Sequence, residues 1–186
     1  MQQKLILAVV GLPGSGKTEV INHLTQKLNC PKVYFGQVVM DELENQGLEV
    51  NEANERKIRE ELRATYGMAA MAIKSLPKIK KILAANNVAL VESLYSWEEY
   101  LTLKKEFGDG FKTLSVYASP ATRYARLQKR PVRPLTEEEA RSRDYSQIAN
   151  LHQAGPIAMA DFTVINEGTM ERLREQIDGA INKLNL

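Results

Sequence analysis

The sequence predicts an α/β fold, in which a five-stranded parallel sheet carries helices on both of its faces. Short apolar runs rich in branched residues alternate with longer segments of helical periodicity, which is the order expected for a parallel sheet. The first apolar run leads through a glycine-rich loop into a helix, and the last segment, residues 169–184, is amphipathic. Together these observations favour one layer of strands between two layers of helices.

Five apolar runs are predicted to be strands, and they cover residues 4–10, 32–35, 88–92, 111–118 and 161–165. One predicted helix begins after Ser119, and the others cover residues 18–28, 37–45, 51–66, 68–85, 96–107, 136–152 and 169–184. Asn51, Ser119 and Thr136 are predicted N-caps, because their side chains can accept a hydrogen bond from the first helical turn. Pro77 is expected to bend or break the helix in which it lies.

Residues 11–18, Gly-Leu-Pro-Gly-Ser-Gly-Lys-Thr, fit the pattern G-x-x-x-x-G-K-[ST] of a phosphate-binding loop. Glycines allow the main chain to approach a ligand closely, so the loop N–H groups and the start of the next helix form a nest for an anion. Lys17 is expected to reach the β- and γ-phosphates of ATP, and the Thr18 hydroxyl is expected to bind Mg²⁺. The predicted ATP-binding residues of this region are Gly11, Pro13, Gly14, Ser15, Gly16, Lys17, Thr18 and Glu19.

Composition limits the classes of function. The chain has 186 residues with 25 basic and 23 acidic side chains, and this near-balance argues against a nucleic-acid-binding or membrane-surface protein. The single cysteine, Cys30, cannot form an internal disulfide, so a reducing cytoplasm is the expected location. The N-terminal apolar run is too short to span a bilayer, and no signal-peptide pattern precedes it. We expect a small-molecule partner and a monomer or homodimer.

Further segments follow the loop in an order typical of one family. They are residues 35–39, 62–63, 67–68, 91–92, 118–120, 160–162 and 165–168, together with Arg123, Arg126 and Arg130. With the loop, they resemble the P-loop nucleoside monophosphate kinases, the neighbouring dephospho-coenzyme A kinases and a group of small archaeal adenylate-kinase-related proteins. The resemblance implies a P-loop NTPase fold and a single kinase domain over residues 1–186. Its implied parts are a core (1–36, 86–126, 156–186), a helical acceptor-binding insertion (about 37–85) and a short lid (about 127–155).

The same resemblance gives roles to the basic residues near the implied lid. An arginine after Ser119-Pro120 is expected to lie over the donor adenine, and either Arg126 or Arg123 fits this role. Lid arginines are expected to neutralise charge on the transferred phosphoryl group. The alternative is a solvated helix with surface ion pairs at i,i+4 spacing. The predicted catalytic residues are Lys17, Arg126, Arg130, Arg133 and Arg143.

Two other positions are implied to serve the ATP site. Glu92 ends the third predicted strand, where α/β sheets bind ligands, and is expected to order Mg²⁺-bound water; the alternative is a surface carboxylate. Asn166 and Gly168 resemble the loop that passes close to the donor base; the alternative is an ordinary turn before a helix.

The implied acceptor side departs from the family pattern. Gln37 and Met40 stand where relatives commonly carry an acid and an arginine, and Tyr95 stands at a second arginine position. Neither methionine nor tyrosine replaces the bidentate contact of an arginine with phosphate. Arg56, Arg59 and Arg63 on the next helix are candidates to substitute, unless they face solvent. The predicted acceptor-binding residues are Gln37, Met40, Arg59, Arg63 and Tyr95.

The resemblance implies an ATP- and Mg²⁺-dependent phosphotransferase that moves the γ-phosphate of ATP to a small nucleotide. One alternative is phosphorylation of a hydroxyl, as in dephospho-coenzyme A kinases, which needs a carboxylate to accept the hydroxyl proton. Gln37 stands where that acid is expected, which leaves Asp41 and Glu92 as candidates. Another alternative is a nucleotide-binding switch or slow ATPase without an acceptor.

Overall fold

A computed structural model describes residues 4–184, and its strands form one five-stranded sheet in the order β2-β3-β1-β4-β5. All neighbouring strands are parallel, and β1 pairs with β3 on one side and β4 on the other. The strands are β1 (Leu5–Val10), β2 (Lys32–Tyr34), β3 (Val88–Glu92), β4 (Phe111–Tyr117) and β5 (Phe162–Ile165). The predicted fold class is therefore confirmed.

Helices connect the strands and cover both faces of the sheet. They are α1 (Lys17–Leu28), α2 (Gln37–Asn45), α3 (Glu52–Tyr66), α4 (Ala70–Ala85), α5 (Trp97–Phe107), α6 (Pro120–Gln128), α7 (Glu137–Ala149), α8 (Ala154–Ala158) and α9 (Met170–Lys183). The side chains of Asn51, Ser119 and Thr136 each accept a hydrogen bond from the first turn of α3, α6 and α7, as predicted. Among residues 4–184, no helix has both the length and the apolar character needed to cross a bilayer.

Two predictions about helices are wrong in part. The helix predicted over residues 136–152 ends at Ala149, and a short helix that was not predicted, α8, follows it. Between them His152 has a left-handed φ of 55°, which turns the chain so that the buried Gln153 side chain reaches the Gly11 carbonyl. Pro77 lies inside a continuous α4 and does not break it, although its missing N–H leaves one helical hydrogen bond unmade.

The core has two parts, one on each face of the sheet, and β1 contributes to both. Its alternate residues Ile6, Ala8 and Val10 pack with α2–α5, whereas Leu7 and Val9 pack with α1 and α9. All six residues of β1 are buried. The glycine loop thus begins at the end of the most enclosed strand, and the ends of β3 and β4 lie beside it at the same edge of the sheet.

Candidate functional site

The glycine loop connects β1 to α1 and packs tightly against α6. Gly14 and Gly16 have φ values of 78° and 97°, which side chains other than glycine rarely adopt. A Cβ atom on Gly14 would lie 2.7 Å from the Arg123 carbonyl oxygen. Glycine is therefore required both by the backbone conformation and by the close approach of α6.

The carbonyl groups of residues 11–15 are all held by side chains, whereas N–H groups at the start of α1 are free. Within residues 4–184, the N–H groups of Gly16, Lys17 and Thr18 have no hydrogen-bond acceptor. This arrangement leaves several donors together at the positive end of a helix, which suits a phosphate group. The carbonyl contacts, at 2.8–3.5 Å, are Lys17 and Gln153 to Gly11, Lys17 to Leu12, Arg123 to Pro13, Arg126 to Gly14 and Asn166 to Ser15.

Lys17 bends back over the loop. Its Nζ donates to the carbonyl oxygens of Gly11 at 2.8 Å and Leu12 at 3.2 Å. Burial, together with the positive charges of Arg143 and Arg123, lowers the pKa of the Lys17 ammonium to about 8. A cation that is destabilised by burial and by other cations gains most from a nearby anion. The electrostatics of Lys17 therefore favour a bound polyphosphate.

A cleft of about 510 Å³ lies in front of the glycine loop, and we call it the loop cleft. Its walls come from the loop, the end of β3, α6 and the segment from Arg130 to α7. The lining residues are Pro13, Gly14, Gly16, Lys17, Thr18, Glu19, Glu92, Ser93, Tyr95, Arg126, Leu127, Arg130, Arg143 and Gln147. The structure thus brings together most of the residues predicted for ATP. Gly11, Ser15, Arg133, Asn166 and Gly168 do not line the cleft.

Thr18 and Glu92 are the residues of the loop cleft that suit Mg²⁺. Thr18 is exposed in the first turn of α1, and Glu92 ends β3. Mg²⁺ in nucleotide sites commonly takes few protein oxygen ligands together with phosphates and water, and a hydroxyl with one carboxylate fits that pattern. Lys32 was not predicted, and its Nζ donates to Glu92 Oε2 at 2.9 Å. This ion pair holds the carboxylate at the strand end.

The two arginines of α6 have different surroundings. Arg126 lines the loop cleft, and its guanidinium donates to the carbonyl oxygen of Asn166 at 2.9 Å. Arg123 is only 3% exposed and forms an ion pair with Asp144 of α7, with an N–O distance of 2.7 Å. Of the two candidates for the position over the donor base, Arg126 is the one at the cleft.

Asp144 is an unpredicted residue that joins the lid region to the glycine loop. Its carboxylate accepts from Arg123 and from the Tyr124 hydroxyl, at 2.9 and 3.0 Å. Arg123 donates in turn to the Pro13 carbonyl oxygen at 3.1 Å. In the sequence Asp144 is one acid in a charged helix, and only the fold shows that it is buried.

Asn166 supports the glycine loop from the side of β5. It is 5% exposed, and its amide donates to the Ser15 carbonyl oxygen at 2.8 Å while its Oδ1 accepts from Arg126. Gly168 is exposed two residues further on. The predicted contact of Asn166 and Gly168 with the donor base stays a prediction.

The predicted lid arginines separate into two groups. Arg130 and Arg143 line the loop cleft, and Arg143 has no hydrogen bond or ion pair with any residue in the range 4–184. Arg133 instead points to α3, where its guanidinium lies 3.6 Å from Glu52 and 3.7 Å from Glu55. The carboxylates of α3 thus hold Arg133 away from the position predicted for a phosphate clamp.

A second cavity, of about 90 Å³, lies beyond the end of β3 and among helices α2 to α5. We call it the α2–α3 cavity. It shares Ser93 and Tyr95 with the loop cleft, so the two spaces adjoin. Its lining residues are Tyr34, Phe35, Gly36, Val39, Met40, Glu55, Arg59, Arg63, Met71, Ser93, Tyr95 and Glu99. Met40, Arg59, Arg63 and Tyr95 are therefore placed together as predicted. Gln37 is not among them, because its amide donates to Asp41 at 2.8 Å on an exposed face.

Charged groups in the α2–α3 cavity differ in how they are paired. Arg59 donates to Glu55 at 3.2 Å and to Glu52 at 2.9 Å. Arg63 Nε is buried and has no hydrogen-bond partner among the residues described. Burial raises the pKa of the Glu99 carboxyl to about 7, against the lowering effect of its backbone hydrogen bonds. Glu55 and Glu99 were not predicted; the Ser-x-x-Glu spacing of Ser96 and Glu99 signals a helix start, not a site.

The sequence of this chain is similar to a known domain family and to archaeal proteins. A family model described as "AAA domain" matches residues 7–147, which include the glycine loop. A UPF0200 protein of Pyrococcus furiosus is 32% identical over 183 residues, with 97% of both chains covered. The chain belongs to the AAA domain and UPF0200 families. A UPF0200/UPF0201 protein of Archaeoglobus fulgidus is 34% identical over 182 residues, and this UPF0200 chain spans 55% of its length.

Solved kinases share the fold of this UPF0200 protein. The crystal structure of shikimate kinase from Bacteroides thetaiotaomicron covers 98% of the chain with a TM-score of 0.59 and 16% identity, and 99% of that kinase is matched. A gluconokinase from Sinorhizobium meliloti 1021 covers 99% of the chain, with 95% of its own length matched, a TM-score of 0.60 and 12% identity. At such identities the likeness shows the fold alone, and it confirms the P-loop kinase-like architecture.

Proposed function

We propose that this UPF0200 protein is an ATP- and Mg²⁺-dependent phosphotransferase that moves the γ-phosphate of ATP to a small nucleotide. The observation that carries the proposal is the loop cleft, which gathers free main-chain N–H groups, Lys17 and the unpaired Arg143 in one place. The adjoining α2–α3 cavity offers room for part of an acceptor. Similarity to a shikimate kinase and a gluconokinase supports phosphotransfer as the reaction class.

In the proposed mechanism, the donor is bound by the glycine loop. The loop N–H groups and Lys17 hold the β- and γ-phosphates, and Thr18 and Glu92 would hold Mg²⁺, which neutralises phosphate charge when bound. Arg143 and Arg130 stabilise the negative charge on the transferred group, because guanidinium groups already placed in the cleft need no reorganisation. Arg126 lies beside the donor base.

A phosphate acceptor agrees better with the surroundings of Asp41 and Glu92, the two carboxylates predicted as candidate bases, than a hydroxyl acceptor does. A hydroxyl needs a base within hydrogen-bond reach, whereas an ionised phosphate needs none. Asp41 lies on an exposed face with Gln37 and lines neither space, and Glu92 is already paired with Lys32. These contacts favour a phosphorylated acceptor, and dephospho-coenzyme A remains the hydroxyl-bearing alternative.

One feature favours a second candidate function, a nucleotide-binding switch or slow ATPase. Met40 and Tyr95 occupy positions where phosphate-gripping arginines are expected, and both line the α2–α3 cavity. Arg133 also joins the lid region directly to α3. In a switch, closure of the lid would follow ATP binding without phosphate transfer.

The proposal includes a cytoplasmic site of action and a small-molecule partner. It is supported by the free, buried thiol of Cys30 and by the nearly balanced charge of the chain.

Release of ADP from ATP distinguishes these functions. The chain is incubated with ATP and Mg²⁺ alone and with AMP, IMP, CMP, UMP, GMP or dephospho-coenzyme A. We expect at least one monophosphate to raise the rate about tenfold or more over ATP alone. Acceleration only by dephospho-coenzyme A would indicate a hydroxyl kinase, and acceleration by none of these compounds would contradict phosphotransfer and support the switch.

A further inference from the structure

Helices α5 and α7 begin with the same motif but in different surroundings. In each, an N-cap hydroxyl accepts from the third N–H of the helix and a glutamate accepts from the N-cap N–H; the pairs are Ser96 with Glu99 and Thr136 with Glu139. Glu139 is exposed, and its hydrogen bonds to Thr136 lower the pKa of its carboxyl. Glu99 is 2% exposed, and burial raises its pKa.

Capping does not explain why residue 99 is an acid. Glutamine serves equally well at this position of the motif, because one side-chain oxygen accepts the backbone hydrogen bond. A buried carboxylate is costly unless its oxygens are hydrogen-bonded or paired. An acid at this position therefore needs a partner besides the cap, and the positive charge of Arg63 meets part of that need by offsetting some of the rise in the pKa of the Glu99 carboxyl that burial causes.

The two oxygens of Glu99 are used differently. Oε2 accepts from the N–H groups of both Tyr95 and Ser96, at 2.8 and 3.0 Å. Within residues 4–184 Oε1 has no hydrogen-bond partner, and the side chain lines the α2–α3 cavity. Arg63 lines the same cavity, and among these residues its guanidinium has no hydrogen-bond or salt-bridge partner; its Nε is enclosed, so the donors that can face the cavity are the outer N–H groups. The cavity thus offers one unused acceptor and one unused donor.

The rest of the cavity suits a flat, mostly apolar group. Phe35, Val39 and Met71 form part of its walls, and all three are buried. A volume of about 90 Å³ holds one end of an acceptor, while the remainder extends past Ser93 and Tyr95 toward the loop cleft. Apolar walls with a few polar groups are typical of sites that orient a ligand by its edge.

We propose that Glu99 and Arg63 select the base of the acceptor nucleotide. Glu99 Oε1 accepts a hydrogen bond from an amino group on the ring, and Arg63 donates to the adjacent ring nitrogen. This inference rests on the proposed function, since it assumes a nucleoside monophosphate acceptor. The site prefers rings with an amino group beside an unprotonated nitrogen, as in adenine and cytosine, over their oxo counterparts.

The oxo counterparts reverse both contacts. Hypoxanthine and uracil present a carbonyl oxygen where the amino group stood and an N–H where the ring nitrogen was unprotonated. A carbonyl facing Glu99 and an N–H facing Arg63 leave two buried polar groups unsatisfied. AMP with IMP and CMP with UMP are therefore matched pairs that differ in this edge and share the sugar and phosphate.

Calorimetric titration of the wild-type chain with AMP, IMP, CMP and UMP tests the preference directly. We expect the amino member of at least one pair to bind about tenfold or more tightly than its oxo counterpart. Equal affinity within both pairs, tighter binding of the oxo members, or no binding of any of the four at millimolar concentration would overturn the proposal.

Glu99→Gln separates recognition from capping. The amide oxygen keeps the cap, while the amide nitrogen presents donors to the cavity, so we expect the amino preference to vanish or to reverse. Glu139→Gln makes the same change in the exposed motif of α7 and should leave the preference unchanged. An unaltered preference in a folded Glu99→Gln variant would contradict the proposal; if that variant does not fold, the wild-type pairs still decide it.

The result is distinguishable from a failure of the proposed function. Selective binding of AMP or CMP without acceptor-dependent ADP release would support the selectivity and contradict phosphotransfer. Acceptor-dependent ADP release with no difference within the pairs would do the reverse.

Discussion

The loop cleft and the α2–α3 cavity are adjoining spaces built from different parts of the chain. The loop cleft is formed largely by main chain, whose carbonyl groups are held by side chains that include Arg123 of α6, Gln153 just before α8 and Asn166 just after β5. The α2–α3 cavity is formed by side chains on separate helices, and Arg63 and Glu99 keep unused polar atoms there. Backbone geometry sets what the first space can bind, whereas individual side chains set what the second can bind.

This difference explains why the glycine loop needs so much support. An unpaired carbonyl oxygen near the cleft would repel a phosphate, and each carbonyl from residue 11 to 15 accepts a hydrogen bond from a side chain. The donors come from as far as Gln153, 142 residues from the carbonyl of Gly11.

The largest expected effect is that of replacing Lys17, which lines the loop cleft but not the α2–α3 cavity. Lys17→Ala removes the cation that is proposed to hold the transferred phosphate, so turnover should fall by a factor on the order of 10³ or more. Acceptor affinity, measured by calorimetry, should change far less than turnover, because Lys17 does not line the α2–α3 cavity that is proposed to hold the acceptor base. A thermal melt checks that the variant is folded, and full activity in a folded variant would contradict the mechanism.

The next largest effect is expected on the free energy of unfolding when Asp144, which pairs with Arg123 beside the glycine loop, is replaced. Asp144→Ala leaves the buried Arg123 guanidinium without its carboxylate, so the free energy of unfolding in urea should fall by about 3–5 kcal/mol. Glu137→Ala breaks the exposed pair with Arg141 and serves as the control, with a loss below about 1 kcal/mol. Equal losses would show that the Arg123–Asp144 pair does not support the fold.

A pH series sharpens the description of the α2–α3 cavity. Burial raises the pKa of Glu99 from the ordinary 4.5 to about 7, so the folded chain holds this proton more tightly than the unfolded chain does. The protonated Glu99 carboxyl therefore contributes its full stabilisation of the folded chain below pH 4.5, and this contribution is lost as the pH rises through 7. The free energy of unfolding of Glu99→Gln relative to wild type should therefore increase over this range, by at most roughly 3 kcal/mol. A difference that does not change with pH would contradict a buried, titrating carboxyl.

The smallest effects distinguish the lid arginines. Arg143→Ala removes an unpaired guanidinium from the loop cleft and should lower turnover about tenfold or more, with a smaller change in ATP affinity. Arg133→Ala breaks contacts with Glu52 and Glu55 outside the cleft, and its effect on turnover should be smaller. A larger loss in Arg133→Ala than in Arg143→Ala would show that the lid works in another position.

The loop cleft could be predicted from the sequence better than the α2–α3 cavity. Apolar runs and the Gly-Lys-Thr pattern act locally, so the strands and the glycine loop between β1 and α1 could be predicted. Asp144, Glu99 and Gln153 gain their meaning from partners or walls on other elements, which no local pattern encodes. The short helix α8 was missed for the same reason, since its position depends on the contact of Gln153 with the loop.

Binding of ATP with Mg²⁺ is the most direct test of the central claim that the glycine loop forms a polyphosphate site. Calorimetric titration into the wild-type chain should show saturable binding at a single site, and the same titration into Lys17→Ala should show a loss of affinity of about tenfold or more. Absence of any saturable heat signal in well-folded wild-type protein would contradict the account.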